Sequence, residues 1–340
     1  MTDEGYFSGS QYDPETVRFF DVAHEGAHIR AIAAHIRHLN VVRGAEYRSI
    51  VILPTDQVAR ASAEMVTELI SPLAWPITIA DKLPHFVGPL DLVVAVGERA
   101  DADWASLALI TAARRGATTA LIGPNRGPLA EDAPNETLTF PLPPTADGGS
   151  PSRYIAGLLA VLWSITDAEV IVAERLHELA DIADEELQQL SPERDATVNP
   201  GRALREFTAQ ARVLHTASRI DKPADLPVGI NIGMAVARCA AQIWSAHGLS
   251  GEFVEPELVP MVLERNQDNS ARDDIFYDPF LDGEKTLVPL KIIVWGQAES
   301  HLPHSLAMAC TDPGLSDLVC AVQLLIRAFA ATAYDVLKED

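Results

Sequence analysis

The stretch "DLVVAVGERADADWASLALITAARRGATTALIGPNRGPLAE", residues 91–131, decides the fold class, because strand and helix patterns alternate along it. The apolar runs 91–96 and 118–123 are typical of buried strands, whereas residues 105–115 between them keep helical spacing. Short connections between strand, helix and strand predict a parallel sheet covered by helices on both faces. The expected fold class is therefore α/β.

The same alternation continues on both sides of this stretch. Upstream, a helix from Pro14 to about Arg43, capped by Asp13, leads into the strand-helix unit "RSIVILPTDQVARASAEMVTELI". Downstream, proline and glycine interrupt the helical pattern in "RDATVNPGRA", after which strands and helices alternate again. We predict an N-terminal domain with a lead-in helix (1–165), a helical linker (166–198) and a C-terminal domain (199–340), each domain a parallel sheet sandwiched by helices.

The second half of the chain gives three further assignments. Residues 168–217 are interpreted as helical, with a charged middle section. The segment "LPVGINI", 226–232, is interpreted as the first strand of the C-terminal domain. The segment "ERNQDNSARDDIF", 264–276, is polar throughout and is interpreted as a loop.

Composition excludes several classes of partner. The chain has 340 residues, a formal net charge of -22 and a sequence pI near 4.7. Such an acidic protein has no net positive field to attract nucleic acid or an anionic membrane. The longest apolar run, 154–165, is too short to cross a bilayer, and the N-terminus lacks the features of an export signal. Three cysteines without CxxC spacing predict no disulfide, and together these features predict a cytoplasmic protein.

The best candidate for binding an anion is "DGGSPSRY", residues 147–154. Glycine at Gly149 lets the backbone approach a ligand, and Ser150 and Ser152 offer hydroxyls near the start of a helix. Arg153 adds a guanidinium in the first turn, where backbone N–H groups also favour anions. The alternative is an ordinary helix cap with an exposed arginine.

Two other loops follow strands at the same edge of the sheet. In "LIGPNRGPLAE", Gly123, Asn125 and Arg126 are candidates for ligand binding, although an ordinary tight turn uses the same residue types. In "ILPTDQ", Thr55 offers a hydroxyl but Asp56 opposes an anion. Asp56 is therefore interpreted as the cap of the following helix.

Proton-transfer candidates come from the second half of the chain. His247 and Glu257 are residue types that can move a proton between adjacent sugar carbons. The alternative is that they are surface groups of an acidic protein. Sequence spacing fixes neither their distance from a substrate nor their protonation.

Histidines in the lead-in helix are candidate metal ligands. Four of them fall near one stripe of the helix: His24, His28, His35 and His38. His24 and His28 are four residues apart, and a pair with this spacing can chelate a metal. Glu25 stands between His24 and His28, as in the zinc-protease pattern, but no later carboxylate is clearly linked to the pair, so no metal is expected. The chain also lacks glycine fingerprints for nucleotides, and no cofactor is expected.

Several segments together resemble one known family. "GGSPSRYIAGLLAVLW", "NPGRALREF", "AVARCAAQIW" and "EPELVP" follow the opening stretch in the same order as similar segments of the bifunctional phosphoglucose/phosphomannose isomerases of bacteria and archaea and their actinobacterial relatives. The resemblance implies two sugar isomerase (SIS) domains, a homodimer and a small sugar phosphate as substrate. It also implies aldose-ketose isomerisation through an enediolate, with Arg153 at the position of the family's active-site arginine.

The chain departs from this family at the residues that carry the chemistry. The loop from Gly97 to Asp103, including Arg99, stands where the family has a serine- and threonine-rich phosphate loop. Ser245 stands where a catalytic glutamate is expected, and the histidine of another motif falls near Pro260. We therefore keep two hypotheses: a sugar-phosphate isomerase using Arg153, His247 and Glu257, and a non-catalytic protein of the SIS fold that binds a carbohydrate derivative or regulates.

Overall fold

The computed structural model describes residues 13–143, 149–218, 231–271 and 288–336, and of residues 267–271 only the backbone. Its strands form two parallel sheets, and helices flank both. This arrangement confirms the predicted α/β fold class.

The first sheet contains five parallel strands in the spatial order β2-β1-β3-β4-β5. In chain order they are β1 Ser49–Pro54, β2 Ile77–Ile79, β3 Asp91–Val96, β4 Thr118–Ile122 and β5 Leu138–Thr139. β1 and β3 are central and fully buried, which explains their uninterrupted apolar sequences. From β1 the chain moves first to one side of the sheet and then to the other, so the strand order reverses between β1 and β3.

The second sheet contains four parallel strands in the spatial order β7-β6-β8-β9. They are β6 Arg212–Ala217, β7 Glu252–Phe253, β8 Leu290–Trp295 and β9 Ser305–Met308. Each sheet lies within one of the two predicted domains. The boundaries at 165/166 and 198/199 remain predictions.

Helices connect and cover the strands. In chain order they are α1 Pro14–Val22, α2 Glu25–Ala33, the 3-10 helix Ile36–Val41, α3 Gln57–Leu69, α4 Asp103–Arg114, α5 Pro128–Glu131, α6 Pro151–Thr166, α7 Glu169–Gln189, α8 Pro200–Phe207, α9 Ile232–Ala246, α10 Val259–Ala271 and α11 Asp317–Ala330. Side chains at six N-caps each accept the backbone N–H three residues later: Asp13, Asp56, Ser150, Asn199, Asn231 and Ser316. These caps fix where the helices begin.

Helices α3 and α9 pack against each other between the two sheets. At the start of α3, Gln57 Nε2 donates to the Gln242 carbonyl near the end of α9 (3.2 Å), and at the end of α3 Glu68 accepts from Arg238 Nη1, four residues earlier in α9 (3.0 Å). The two helices are therefore antiparallel, and the C-terminus of α9 lies beside the N-terminus of α3. One continuous apolar core contains residues from both halves of the chain.

Four sequence assignments differ from the structure. The lead-in helix is divided into α1, α2 and the 3-10 helix, and at the first break the His24 ring Nδ1 donates to the Phe20 carbonyl (2.7 Å). Residues 212–217 form the strand β6 and not a helix. The helix prediction was wrong here because a segment of six residues carries no periodicity that separates strand from helix. Part of the predicted loop, 264–271, continues α10, and Ile232 begins α9. The rest of those two segments, 226–230 and 272–276, lies outside the described residues.

None of the helices within the described ranges combines the length and the apolar character needed to cross a lipid bilayer.

Candidate functional site

The reversal of strand order places a crevice at the carboxyl ends of β1 and β3, which is where parallel sheets of this kind bind ligands. A cavity of about 300 Å³, here called the switch-point cavity, opens at this place. Its walls come from the loops after β1 and β3, the start of α6 and the end of α9. They include Asp56, Gln57, Glu98, Arg99, Tyr154 and His247.

Asp56 places a carboxylate directly on the N-terminus of α3. Its Oδ1 accepts the Ala59 N–H (2.8 Å), and its Oδ2 accepts the Glu98 N–H (3.0 Å) and the Tyr154 hydroxyl (3.4 Å). Burial raises the pKa of Tyr154 well above its ordinary value, and the Asp56 charge acts in the same direction. The phenol therefore stays protonated and donates, and the carboxylate occupies the place that a helix N-terminus offers to an anionic ligand.

Gly97 allows the loop after β3 to approach Asp56 closely. Its φ is 128°, in a region that favours glycine, and its N–H bonds to the Ile122 carbonyl (3.0 Å). A Cβ at this position would lie 2.3 Å from Thr55 Oγ1 and 2.5 Å from Asp56 Oδ2. The glycine is thus required by the contact with Asp56.

Arg153 lies behind this loop and is fully buried. Nη1 donates to Glu98 Oε1 (2.5 Å), and Nη2 donates to the carbonyls of Gly123 (2.7 Å) and Phe140 (3.0 Å). Burial lowers the pKa of the guanidinium, and the Glu98 carboxylate opposes this shift. The guanidinium therefore ties the ends of three neighbouring strands together, and its charge is balanced by Glu98.

The serines of the predicted anion loop build the start of α6. Ser150 Oγ accepts the Arg153 N–H (3.0 Å), and the Ser152 N–H donates to the Glu25 carboxylate (2.9 Å). Both serines are buried, whereas Gly149 is exposed on the rim of the switch-point cavity. Complete burial raises the pKa of Glu25 to about 7. Residues 147 and 148 of this segment lie outside the described residues.

His247 reaches the switch-point cavity from the other half of the chain. It caps the C-terminus of α9, its ring Nδ1 donates to the Ile243 carbonyl (2.8 Å), and the ring packs against Phe329 at 5.2 Å. The antiparallel packing of α3 and α9 brings it to the wall that Asp56 and Gln57 also form. Of the three residues predicted to transfer protons or stabilise charge, Arg153, His247 and Glu257, only His247 lines the cavity.

The remaining predicted residues are placed elsewhere. Gly123 is buried, and its carbonyl accepts Arg153. Asn125 and Arg126 are exposed in the turn between β4 and α5, and Glu257 is exposed in the loop before α10. None of these four lines the switch-point cavity.

The three carboxylates after β3 have different surroundings. Glu98 is largely buried and pairs with Arg153, whereas Asp101 is exposed and lies 3.5 Å from Arg99 Nε. Asp103 is exposed in the first turn of α4, where a negative charge favours the helix. Within the part of the chain that is described, no group of three or more histidine, cysteine or acidic side chains is arranged to hold a metal ion.

Several known structures have the same architecture as this chain. Residues along 98% of the chain superpose on 97% of the C-terminal domain of glucosamine-fructose-6-phosphate aminotransferase from Francisella tularensis, with a TM-score of 0.55 and 11% identity. Tagatose-6-phosphate ketose/aldose isomerase from Escherichia coli gives a TM-score of 0.56 at 14% identity, covering 94% of this chain and 95% of that one. The chain has the SIS fold. A Salmonella typhimurium protein with the provisional description of sugar binding protein matches 93% of this chain, and 99% of its own, with a TM-score of 0.55 at 13% identity.

No family model and no curated protein sequence matches the chain. The SIS fold is therefore recognised from structure, while identities of 11% to 14% leave ligand and activity open. Sequence reasoning interpreted Asp56 as a cap, which its bond to Ala59 confirms, but it missed the contacts of Asp56 with Glu98 and Tyr154. The sequence feature that could have indicated these contacts is the position of Asp56 and Gly97 at the ends of two neighbouring central strands.

Proposed function

We propose that this protein binds a carbohydrate derivative in the switch-point cavity, as a non-catalytic or regulatory member of the SIS fold. The observation that carries the proposal is the cavity itself, which lies where the strand order reverses and takes walls from both halves of the chain. The neighbours whose names refer to sugars or sugar phosphates support a ligand of this class.

The cavity has the chemistry that a small polar ligand needs. Carboxylate oxygens of Asp56 and Glu98 can accept hydrogen bonds from sugar hydroxyls, and the amide of Gln57 can both donate and accept. Val58 and Pro151 supply apolar surface beside these groups. A volume of about 300 Å³ is at the lower end of the range for small-molecule sites and suits a single sugar ring.

We include the absence of catalysis in the proposal because Arg153, the group expected to stabilise charge in the reaction, is already bonded within the protein. Arg153 would have to leave Glu98 and two backbone carbonyls before it could stabilise an enediolate. Its complete burial opposes such a movement.

A homodimer and a cytoplasmic location, which the resemblance and the sequence imply, belong to the same proposal.

Isomerisation of a phosphorylated hexose, as in the phosphoglucose/phosphomannose isomerases, is the second candidate. The observation that favours it is the position of His247, which lines the same cavity as Glu98 and Arg99. An imidazole there could accept a proton from one sugar carbon and return it to the next. Glu257 would have to approach from its exposed loop to take that role.

Calorimetry and an activity assay separate the two candidates. Wild-type protein is titrated with glucose, fructose and their 6-phosphates, and conversion of fructose 6-phosphate is followed with enzymes that consume glucose or mannose 6-phosphate. Binding without conversion supports the non-catalytic proposal. Conversion that is lost in His247→Gln supports the isomerase instead, and absence of binding by every compound contradicts both.

His177→Gln is the matched control for that variant. The His177 ring makes the same bond to the carbonyl four residues earlier (Ala173, 2.7 Å), but it lies exposed on α7, away from the cavity. It should leave both binding and conversion unchanged.

A further inference from the structure

We propose that the Asp56 carboxylate is a built-in anion that excludes phosphate from the switch point, so that the part of the ligand lying there is an uncharged polyol. This inference rests on the proposed function and narrows the class of ligand. It also makes Asp56 the residue that determines specificity between free and phosphorylated sugars.

The first argument is that the donors for an anion are present and already used. Helix α3 has 13 residues, and its N-terminal Ala59 N–H, the Glu98 N–H and the Tyr154 hydroxyl all converge on the Asp56 carboxylate. Backbone N–H groups from a helix start and from an adjacent loop are the donors that phosphate sites commonly use. Here a side chain of the protein satisfies them.

A second, independent argument is the neighbouring hydroxyl. Thr55 is 95% buried, and its Oγ1 has no hydrogen-bond partner among the described residues. This hydroxyl lies close to the Asp56 carboxylate, because a Cβ built on Gly97 would meet both Thr55 Oγ1 and Asp56 Oδ2 at 2.3 and 2.5 Å. A buried hydroxyl without a partner is costly, and it marks a position where an anion's oxygen atom would be accepted if the carboxylate were absent.

The third argument is that the surrounding cations do not compensate for a second anion. Arg153 is paired with Glu98, and Arg99 lies 3.5 Å from Asp101. Arg60, in the first turn of α3, is paired with Asp81. A phosphate dianion placed beside Asp56 would therefore meet an uncompensated negative charge.

Asp56→Ser is the direct test, with inorganic phosphate as the probe. Serine can still cap α3 through the Ala59 N–H, removes the negative charge and leaves the Glu98 N–H and the Tyr154 hydroxyl free. We expect the variant to bind phosphate at least roughly 100-fold more tightly than wild type does, because a buried like charge is removed and charge-assisted bonds form. Calorimetry and phosphorus NMR line broadening measure this gain.

Asp103→Ser is the matched control. It removes an equal charge from the first turn of the neighbouring helix α4 but opens no group of donors. Its affinity for phosphate should equal that of wild type. An equal gain in both variants would overturn the proposal, because net charge alone would then explain it.

Two further outcomes would overturn the inference. One is wild-type protein that binds inorganic phosphate as tightly as Asp56→Ser does, and the other is a folded Asp56→Ser variant that gains no affinity. If Asp56→Ser does not fold, Asp56→Gly and the wild-type titration decide by the same criteria.

Titration of wild-type protein with glucose and glucose 6-phosphate separates the two levels of proposal. Tighter binding of glucose 6-phosphate would overturn the phosphate exclusion and leave carbohydrate binding intact. Failure of every sugar to bind would contradict the proposed function, while the phosphate gain in Asp56→Ser would still report whether Asp56 occupies an anion site.

Discussion

Replacement of Arg153 by methionine should destabilise the protein strongly, because this guanidinium joins three strands. The side chain is fully buried and donates to Glu98 and to the carbonyls of Gly123 and Phe140. Methionine has a similar length and fills much of the space, so the change removes the charge and the hydrogen bonds more than the packing.

The expected loss follows from the groups that are left behind. Breaking a buried ion pair by removing one partner costs about 3–5 kcal/mol, mainly because the other charge stays buried. The two orphaned carbonyls add about 1 kcal/mol each. Glu98 retains 16% exposure and can recover some hydration, which reduces the first contribution. We therefore expect a decrease of about 4 kcal/mol in the free energy of unfolding.

Urea unfolding followed by circular dichroism measures this change, and two other variants control it. Arg37→Met breaks an exposed pair with Glu169 (3.0 Å) and should cost less than about 1 kcal/mol. Adding Glu98→Gln to Arg153→Met removes the carboxylate charge that Arg153 had balanced and should restore about 1–2 kcal/mol. A loss below about 1 kcal/mol for Arg153→Met, or no recovery in the double variant, would refute the argument that this pair is structural.

Two other perturbations test the neighbourhood of the site. Gly97→Ala should lower the free energy of unfolding in urea by about 2–4 kcal/mol, because the added Cβ meets Thr55 and Asp56. Gly44→Ala is the control and should cost about 1 kcal/mol, because its added Cβ meets no described atom within 4 Å. Equal losses in the two variants would contradict the close contact at Gly97. Burial raises the pKa of Glu25 from 4.5 to about 7, so the folded state binds more protons and stability falls as pH rises across that window. Glu25→Gln should match wild type near pH 4 and exceed it by about 3 kcal/mol at pH 8, and a difference independent of pH would count against the buried carboxyl.

Local features of the fold could be predicted from sequence, whereas contacts between distant segments could not. The strand 91–96 was predicted correctly because a fully buried parallel strand is apolar at every position. The cap at Ser150 follows from a local rule about helix starts. In contrast, β6 was predicted as helix, since five of its six residues are buried and so short a segment shows neither the strand nor the helix period.

The site depends on contacts that no local pattern encodes. Glu98 meets Arg153 across 55 positions of sequence, and its N–H meets Asp56 across 42. Strand order decides which arginine neutralises which carboxylate, whereas the sequence predicted Arg153 and Arg99 only as groups that act on a ligand. The acidic loop gave grounds for doubting a phosphate site, but the sequence did not indicate which contacts its carboxylates make.

The structure separates the roles of two carboxylates near the switch-point cavity. Glu98 neutralises an arginine that holds the sheet edge together, so it contributes to stability and adds little net charge to the cavity. Among the described residues Asp56 has no cationic partner at hydrogen-bond distance. It relies on a helix start, a loop N–H and a phenol, which are the groups that a bound phosphate would take under the proposal. An anion that is part of the chain needs no ligand to hold these donors in place. The cavity can therefore keep its shape when empty, which suits a binding protein better than an enzyme that uses phosphate to organise its site.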